Sequence, residues 1–265
     1  MCPSVPDHRP TRRPAAPPAW RGHPPDSVTG MDPRLAAAPV VPAFAEAIRP
    51  LTHALYVGGS LASGDYRPGI SDLDLCAVVP REPDERQLVD LHRALPGADL
   101  LHCAYLPLDD LHELGREHLI WAHQELYRRP FGAIARAELF AFGLTVHGPP
   151  PADLLPPVDD ATVRAAARDE LSGYWAGASA KPELWQQAVY VDHGLTTLAR
   201  AAATIATGRL ISKQEAIDDL HRHGVPAELI GQIRRRRAGE TVAVSPADAE
   251  LSRRIMIEQT ARILA

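Results

Sequence analysis

Residues 55–79 read LYVGGSLASGDYRPGISDLDLCAVV, and an apolar strand is predicted at each end of this stretch. The first predicted strand covers residues 54–57, and the second covers residues 72–79. Because side chains alternate along a strand, Asp72 and Asp74 share one face of the second strand. At the rise of a β-strand their Cα atoms lie about 7 Å apart. The pattern therefore predicts two carboxylates that converge on one point.

The residues between the strands suit a phosphate and a hard cation. Paired carboxylates favour Mg²⁺, which takes oxygen ligands and substrate phosphates. Gly59 lets a phosphate approach the backbone, and Ser60 offers a hydroxyl and an N–H to hold it. The alternative is that Asp-x-Asp is a pair of solvated acids and that Gly-Gly-Ser is an ordinary turn. The ordered run of strand, Gly-Ser, spacer, Ser-Asp-x-Asp and strand favours the first interpretation.

This run, GGSLASGDYRPGISDLDLCAVV, resembles the nucleotidyltransferase superfamily that includes DNA polymerase β. Its closest likeness is to bacterial aminoglycoside (streptomycin/spectinomycin) adenylyltransferases. The resemblance implies an α+β fold, with a polymerase β-like nucleotidyltransferase domain followed by a C-terminal helical bundle. It implies ATP as a substrate, Mg²⁺ as the cofactor, and Asp72 and Asp74 as catalytic metal ligands. Transfer of AMP to a hydroxyl of an aminoglycoside-like small molecule, and hence antibiotic resistance, is the implied activity.

The resemblance also implies which residues bind the triphosphate. Ser60 and Ser71 would hold it, with Gly59 shaping the turn, although capping of the local turn is an alternative role for Ser71. Arg200 and Lys213 match cations that reach from the second domain toward the nucleotide phosphates. Such cations neutralise a triphosphate only when the two domains close. By composition alone, Lys213 is a solvated side chain near a helix start.

The stretch HCAYLPLDD, residues 102–110, departs from the family pattern. Family members usually place a third acid on the strand next to the Asp-x-Asp strand, and His102 stands in that place here. Neutral imidazole accepts a proton near pH 7, so His102 is a candidate general base. A structural, partly buried histidine is the alternative. Asp99 would replace it only if the strand register shifted, since it points to the opposite face.

Composition divides the 265 residues into four segments. Residues 1–30 carry eight prolines and no apolar period, which predicts a disordered leader, and Met31 is an alternative start of translation. Residues 31–148 are predicted to form the nucleotidyltransferase domain. A proline-dense linker at residues 149–157 leads to a helical C-terminal domain at residues 158–265.

Apolar spacing and capping signals predict several helices. These cover residues 40–48, 85–95, 108–117, 133–142, 160–175, 183–207, 212–224 and 226–239, with a last helix from residue 245. A third strand is predicted at residues 100–106. Asp192 and His193 interrupt the apolar face of the long predicted helix and are candidates for contact with the substrate.

The overall charge limits the classes of partner. A net charge of −5 argues against a protein that coats nucleic acid, which needs a basic footprint. The run Arg234–Arg237 closes a predicted helix, where cations complement the helix dipole. No apolar run approaches the roughly 20 residues of a membrane span. We therefore expect a cytoplasmic protein whose partners are a nucleoside triphosphate and a small hydroxylated acceptor. A protein or RNA acceptor, and a non-catalytic nucleotide-binding protein of the same fold, are the alternatives.

Overall fold

A computed structural model describes residues 32–265. The predicted disordered leader, residues 1–30, lies outside the described residues. Within them, no helix combines the length and the apolar character that crossing a membrane requires.

A six-stranded mixed sheet dominates the first half of the described chain, which we call the sheet half. Its strands have the order β5-β4-β3-β2-β1-β6. They are β1 Ala54–Val57, β2 Leu73–Val79, β3 Leu101–Pro107, β4 Glu117–Ala122, β5 Glu125–Pro130 and β6 Leu144–His147. Strands β2 and β3 run parallel, and every other neighbouring pair is antiparallel.

The helices follow the predicted order in most of the chain. They are α1 Val40–Ile48, α2 Gly59–Ala62, α3 Glu85–Ala94, α4 Ala133–Phe142, α5 Pro151–Leu154, α6 Asp160–Glu170, α7 Ala176–Ser179, α8 Ala188–Thr207, α9 Lys213–Asp219, α10 Ala227–Arg237 and α11 Pro246–Leu264. Side-chain caps begin several of them, and the predicted capping box of Ser212 and Glu215 starts α9. A π-helix, Leu171–Trp175, joins α6 to α7.

The central strand β2 is apolar on both faces because both faces are covered. Leu75 and Ala77 belong to a core with α1 and α3, whereas Cys76 and Val78 belong to a second core on the opposite face, with Leu139 of α4. Asp74 is the one exposed residue of β2 and shares the face of Cys76. It therefore points to the side of the sheet on which α4 lies.

The helices from α6 to α11 form the helical half, which has its own core around α8. Trp175 and Trp185 are fully buried in this core with Leu195 and Leu198 of α8. Gly194 lies between the two tryptophans, since a Cβ there would meet them at 2.8 and 2.9 Å. This packing sets the position of α8, which lines the cleft facing the sheet.

One predicted helix is wrong, and another is interrupted. Residues 108–117 form only a short 3-10 turn, Leu108–Asp110, and β4 begins at Glu117. The missed hairpin of β4 and β5 turns through His123 and Gln124, which both have positive φ (53° and 62°). Glycine and asparagine are the usual residues at these positions, so the sequence gives no hairpin signal here.

The predicted helix at residues 183–207 is interrupted. Residues Pro182–Gln186 form a 3-10 helix, and α8 begins only at Ala188. The predicted linker is also more ordered than its prolines suggest. It contains α5, and the Tyr56 hydroxyl of β1 donates a hydrogen bond to the Pro149 carbonyl at 2.7 Å.

Candidate active site

The carboxylate of Asp74 lies directly over Gly59. Gly59 has a φ of 57°, and a Cβ built on it would lie 2.0 Å from Asp74 Oδ2. The N–H of Gly58 donates to the Asp74 carbonyl at 2.8 Å, which holds the turn against β2. Glycine is therefore required at position 59 both by the backbone conformation and by the closeness of the Asp74 carboxylate.

The electrostatic setting of Asp74 favours binding of a cation. Its side chain keeps 52% of its surface accessible, yet it lies deep in the cleft between the two halves of the chain. Burial and the charges of Asp72 and Glu138 raise the pKa of this carboxyl to about 6, although the charges of Lys213 and Arg129 act to lower it. The local excess of negative charge is what a divalent cation would neutralise.

His102 stands beside both aspartates. In the parallel pairing of β2 and β3, Asp74 is the partner of His102. His102 Nε2 lies 3.7 Å from Asp72 Oδ1, and Nδ1 lies 3.9 Å from Asp74 Oδ1, too long for hydrogen bonds. Burial lowers the pKa of His102, against the opposing charge of Asp72. The ring is therefore neutral near pH 7 and is able to accept a proton.

The regular register of β2 and β3 gives no support to Asp99 as a substitute. Asp99 is exposed in the turn before β3 and lines neither of the two cavities beside Asp72 and Asp74. His102 alone occupies the position opposite Asp74.

Two cavities lie beside Asp72, Asp74 and His102. The larger, of about 430 Å³, lies between the sheet and α8, and the smaller has about 250 Å³. Asp74, His102 and Gly59 line the larger cavity, and Asp72 lines the smaller one. His193 of α8 borders both. The site therefore offers room on two sides of the paired aspartates.

The helical half supplies the two predicted cations. Arg200 of α8 donates through Nη2 to the carboxylate of Glu138 on α4, and through Nε to the Ile211 carbonyl at 2.9 Å. Lys213, the first residue of α9, lines the smaller cavity with Asp72. Among the described residues Lys213 makes no ion pair, and its charge lowers the pKa values of Asp74 and His193.

The two predicted serines lie in different settings. Ser60 follows Gly59 in α2 and lies outside the lining of both cavities. Ser71 lines the smaller cavity, and its Oγ accepts a hydrogen bond from the Arg67 N–H at 3.1 Å. Ser71 thus closes the turn of residues 67–71, which is the alternative role considered for it, and it lies next to Asp72.

Asp192 and His193 differ in their availability to a substrate. Arg236 holds the Asp192 carboxylate through Nη2 at 2.6 Å and Nε at 2.9 Å. The ring of His193 is open to the cleft, although the surrounding protein, Lys213 and Arg200 lower its pKa to about 4. His193 is thus neutral and the more accessible of the two.

Sequence reasoning missed three charged residues of the larger cavity, Arg129 on β5, Glu138 on α4 and Glu170 at the end of α6. Arg129 makes no ion pair with any other described residue, and its charge lowers the pKa values of Asp74 and His102. Arg129 lies on β5, a strand that was not predicted, and Glu138 belongs to no recognisable motif.

A metal at this site would have few protein ligands. In residues 32–265 no group of three or more His, Cys, Asp or Glu side chains is arranged to hold a metal ion. Mg²⁺ commonly takes one or two carboxylates and completes its shell with water and phosphate oxygens. The pair Asp72 and Asp74 fits that mode of binding, with the phosphates of a substrate as the remaining ligands.

Residues 44–138 match the family model of the nucleotidyltransferase domain, which confirms the predicted resemblance to that superfamily. The chain is also similar to a solved structure, spectinomycin adenyltransferase AAD(9) from Enterococcus faecialis with ATP and spectinomycin. The TM-score is 0.68 at 16% identity, covering 87% of this chain and 99% of that one. A search of curated proteins gave no match. The predicted α+β fold with C-terminal helices is therefore confirmed.

Proposed function

We propose that this protein is a Mg²⁺-dependent nucleotidyltransferase that moves AMP from ATP to a hydroxyl of a small, aminoglycoside-like molecule. The observation that carries the proposal is the grouping of Asp72, Asp74 and His102 at the start of the adjacent parallel strands β2 and β3, opposite Lys213 of the helical half. The likeness in fold to a protein solved with ATP and spectinomycin supports the same pair of substrates.

Asp72 and Asp74 are the residues that would hold Mg²⁺, which when bound neutralises charge on the phosphates. Nucleotidyl transfer needs little covalent help from a protein, so positioning and charge neutralisation are the main tasks of these residues. Gly59, which lines the larger cavity, would contact the triphosphate from the sheet half. Lys213 and Arg200 would neutralise it from the helical half, with Arg200 exchanging or sharing its contact to Glu138.

His102 would act on the acceptor. The acceptor hydroxyl oxygen forms a bond to the α-phosphorus, and the bond between that phosphorus and the oxygen bridging to the β-phosphate breaks. Pyrophosphate leaves with the bridging oxygen. The neutral imidazole of His102 takes the proton of the acceptor hydroxyl, as a general base does.

A non-catalytic nucleotide-binding protein is the second candidate, and the histidine at position 102 is the observation that favours it. A protein of this kind would keep Asp72, Asp74 and Lys213 for binding and lack the third acid. It would bind ATP and release no pyrophosphate with any acceptor.

The aspartates provide the test of the proposal. Asp72→Asn and Asp74→Asn should each abolish Mg²⁺-dependent ATP binding, measured by titration calorimetry, while the far-ultraviolet circular dichroism stays unchanged. Asp90→Asn is the matched control, because Asp90 is exposed on α3, which packs on the opposite face of the sheet. Near-normal ATP binding by either site variant would contradict the assignment of the metal ligands.

A further inference from the structure

Asp65, in the loop after α2, joins the sheet half to the helical half. Its Oδ2 accepts the backbone N–H of Gln214 at 2.9 Å and pairs with Arg237 Nη2 at 2.7 Å. The same Arg237 nitrogen also donates to the Asp65 carbonyl at 3.0 Å. The two side chains keep only 7% and 14% of their surface accessible. Asp65 is therefore a nearly buried acid held by three bonds across the cleft.

The contact lies at the start of α9, next to Lys213. Gln214 follows Lys213 directly, so their Cα atoms are about 3.8 Å apart. The capping box makes this turn rigid, because Ser212 Oγ accepts from the Glu215 N–H at 3.1 Å and Glu215 accepts from the Ser212 N–H at 2.8 Å. A bond to the Gln214 N–H therefore fixes the backbone from which the Lys213 side chain extends.

The four consecutive arginines at the end of α10 show that this contact is distinctive. Each pairs with a different acid: Arg234 with Asp218, Arg235 with Glu240, Arg236 with Asp192, and Arg237 with Asp65. Only the partner of Arg237 belongs to the sheet half. The arginine run is thus largely neutralised within the protein, and its last member connects the two halves.

We propose that Asp65 is a positioning residue that holds Lys213 in place opposite Asp72 and Asp74, acting through the Gln214 N–H and Arg237. This inference rests on the proposed function, in which Lys213 binds the triphosphate. A lysine side chain is long and flexible, so the place its ammonium reaches depends on where its backbone is held. A buried acid with charged and backbone donors commits that backbone to one position.

The test compares two bridging variants with two matched controls in the full chain. Asp65→Asn and Arg237→Ala should weaken binding of Mg²⁺·ATP by about tenfold or more, since each removes one side of a buried pair. Glu240→Gln and Arg235→Ala, which break the neighbouring exposed pair within the helical half, should leave the Kd within about twofold of wild type. Unchanged ATP binding by Asp65→Asn would overturn the inference.

A double-mutant cycle separates positioning from general destabilisation. In a Lys213→Ala background, Asp65→Asn should cause no further loss of ATP binding if Asp65 acts through Lys213. Independent losses that add would overturn the inference. If Asp65→Asn does not fold, Arg237→Lys takes its place, because it keeps the charge and lacks the Nη2 that contacts both Asp65 Oδ2 and the Asp65 carbonyl.

The outcomes also distinguish this inference from the proposed function. Lys213→Ala that binds Mg²⁺·ATP like wild type would contradict the nucleotide site itself. Lys213→Ala that weakens binding, together with Asp65→Asn that does not, would contradict only the positioning role of Asp65.

Discussion

Gly59→Ala should disable the site, and it should lower the free energy of unfolding little more than the same substitution at a matched glycine elsewhere. The added Cβ would lie 2.0 Å from Asp74 Oδ2, where contacts under 3.0 Å are essentially never seen. The carboxylate oxygen must therefore move by about 1 Å, and a displacement of that size at a reacting centre costs on the order of 10²-fold in rate. We expect a loss of this order in turnover, with a clear weakening of Mg²⁺·ATP binding.

Gly97→Ala is the control for backbone strain. Gly97 has a φ of 75° in the turn before β3, and a Cβ there would meet nothing within 4 Å. A positive φ costs an alanine about 1–2 kcal/mol, so both variants should lose a similar free energy of unfolding from this source. Urea unfolding measures that cost, and calorimetry with pyrophosphate release measures function. Gly59→Ala that retains function within about threefold of Gly97→Ala would show that the site tolerates a side chain beneath the Asp74 carboxylate, contrary to this prediction.

His102→Ala should lower turnover by about 10²- to 10⁴-fold and leave triphosphate binding intact, whereas His102→Glu should preserve or raise activity. Turnover that survives His102→Ala would remove this residue from the mechanism. A second variant, at His92, tests the pH dependence of stability. Burial lowers the pKa of His92 to about 3 in the folded protein. The unfolded chain therefore takes up a proton at this residue first, as the pH falls below about 6.5. The free energy of unfolding should therefore fall by about 2 kcal/mol between neutral pH and pH 5. Urea unfolding of His92→Phe should show a flatter pH dependence than wild type, and parallel curves would contradict this origin.

The local parts of the site could be read from sequence because their signals are local. The period of two along residues 72–79 predicts a strand that carries Asp72 and Asp74 on one face. In the structure β2 begins at Leu73, so Asp74 lies on the strand and Asp72 directly before it. The parallel register that sets His102 opposite Asp74 agrees with the predicted place of His102 on the neighbouring strand. The capping box at Ser212 likewise predicted the start of α9.

The contacts across the cleft could not be predicted in the same way. Arg200 and Glu138 are 62 residues apart, and Arg237 and Asp65 are 172 residues apart. Hydrophobic periodicity reports which face of an element is buried, and it says nothing about which distant charges meet. The hairpin turn at His123 and Gln124 was missed for a different reason, because its two positive-φ positions lack the glycine or asparagine that signals such a turn.

Release of pyrophosphate from ATP is the direct readout of nucleotidyl transfer. Wild-type protein with Mg²⁺ should be assayed against a panel of hydroxylated acceptors that includes spectinomycin and streptomycin, with Asp74→Asn in parallel. The proposed function predicts acceptor-dependent release of pyrophosphate with an adenylylated product by mass spectrometry, and loss of both in the variant. Tight ATP binding without pyrophosphate release for any acceptor, or release that persists in Asp74→Asn, would contradict it.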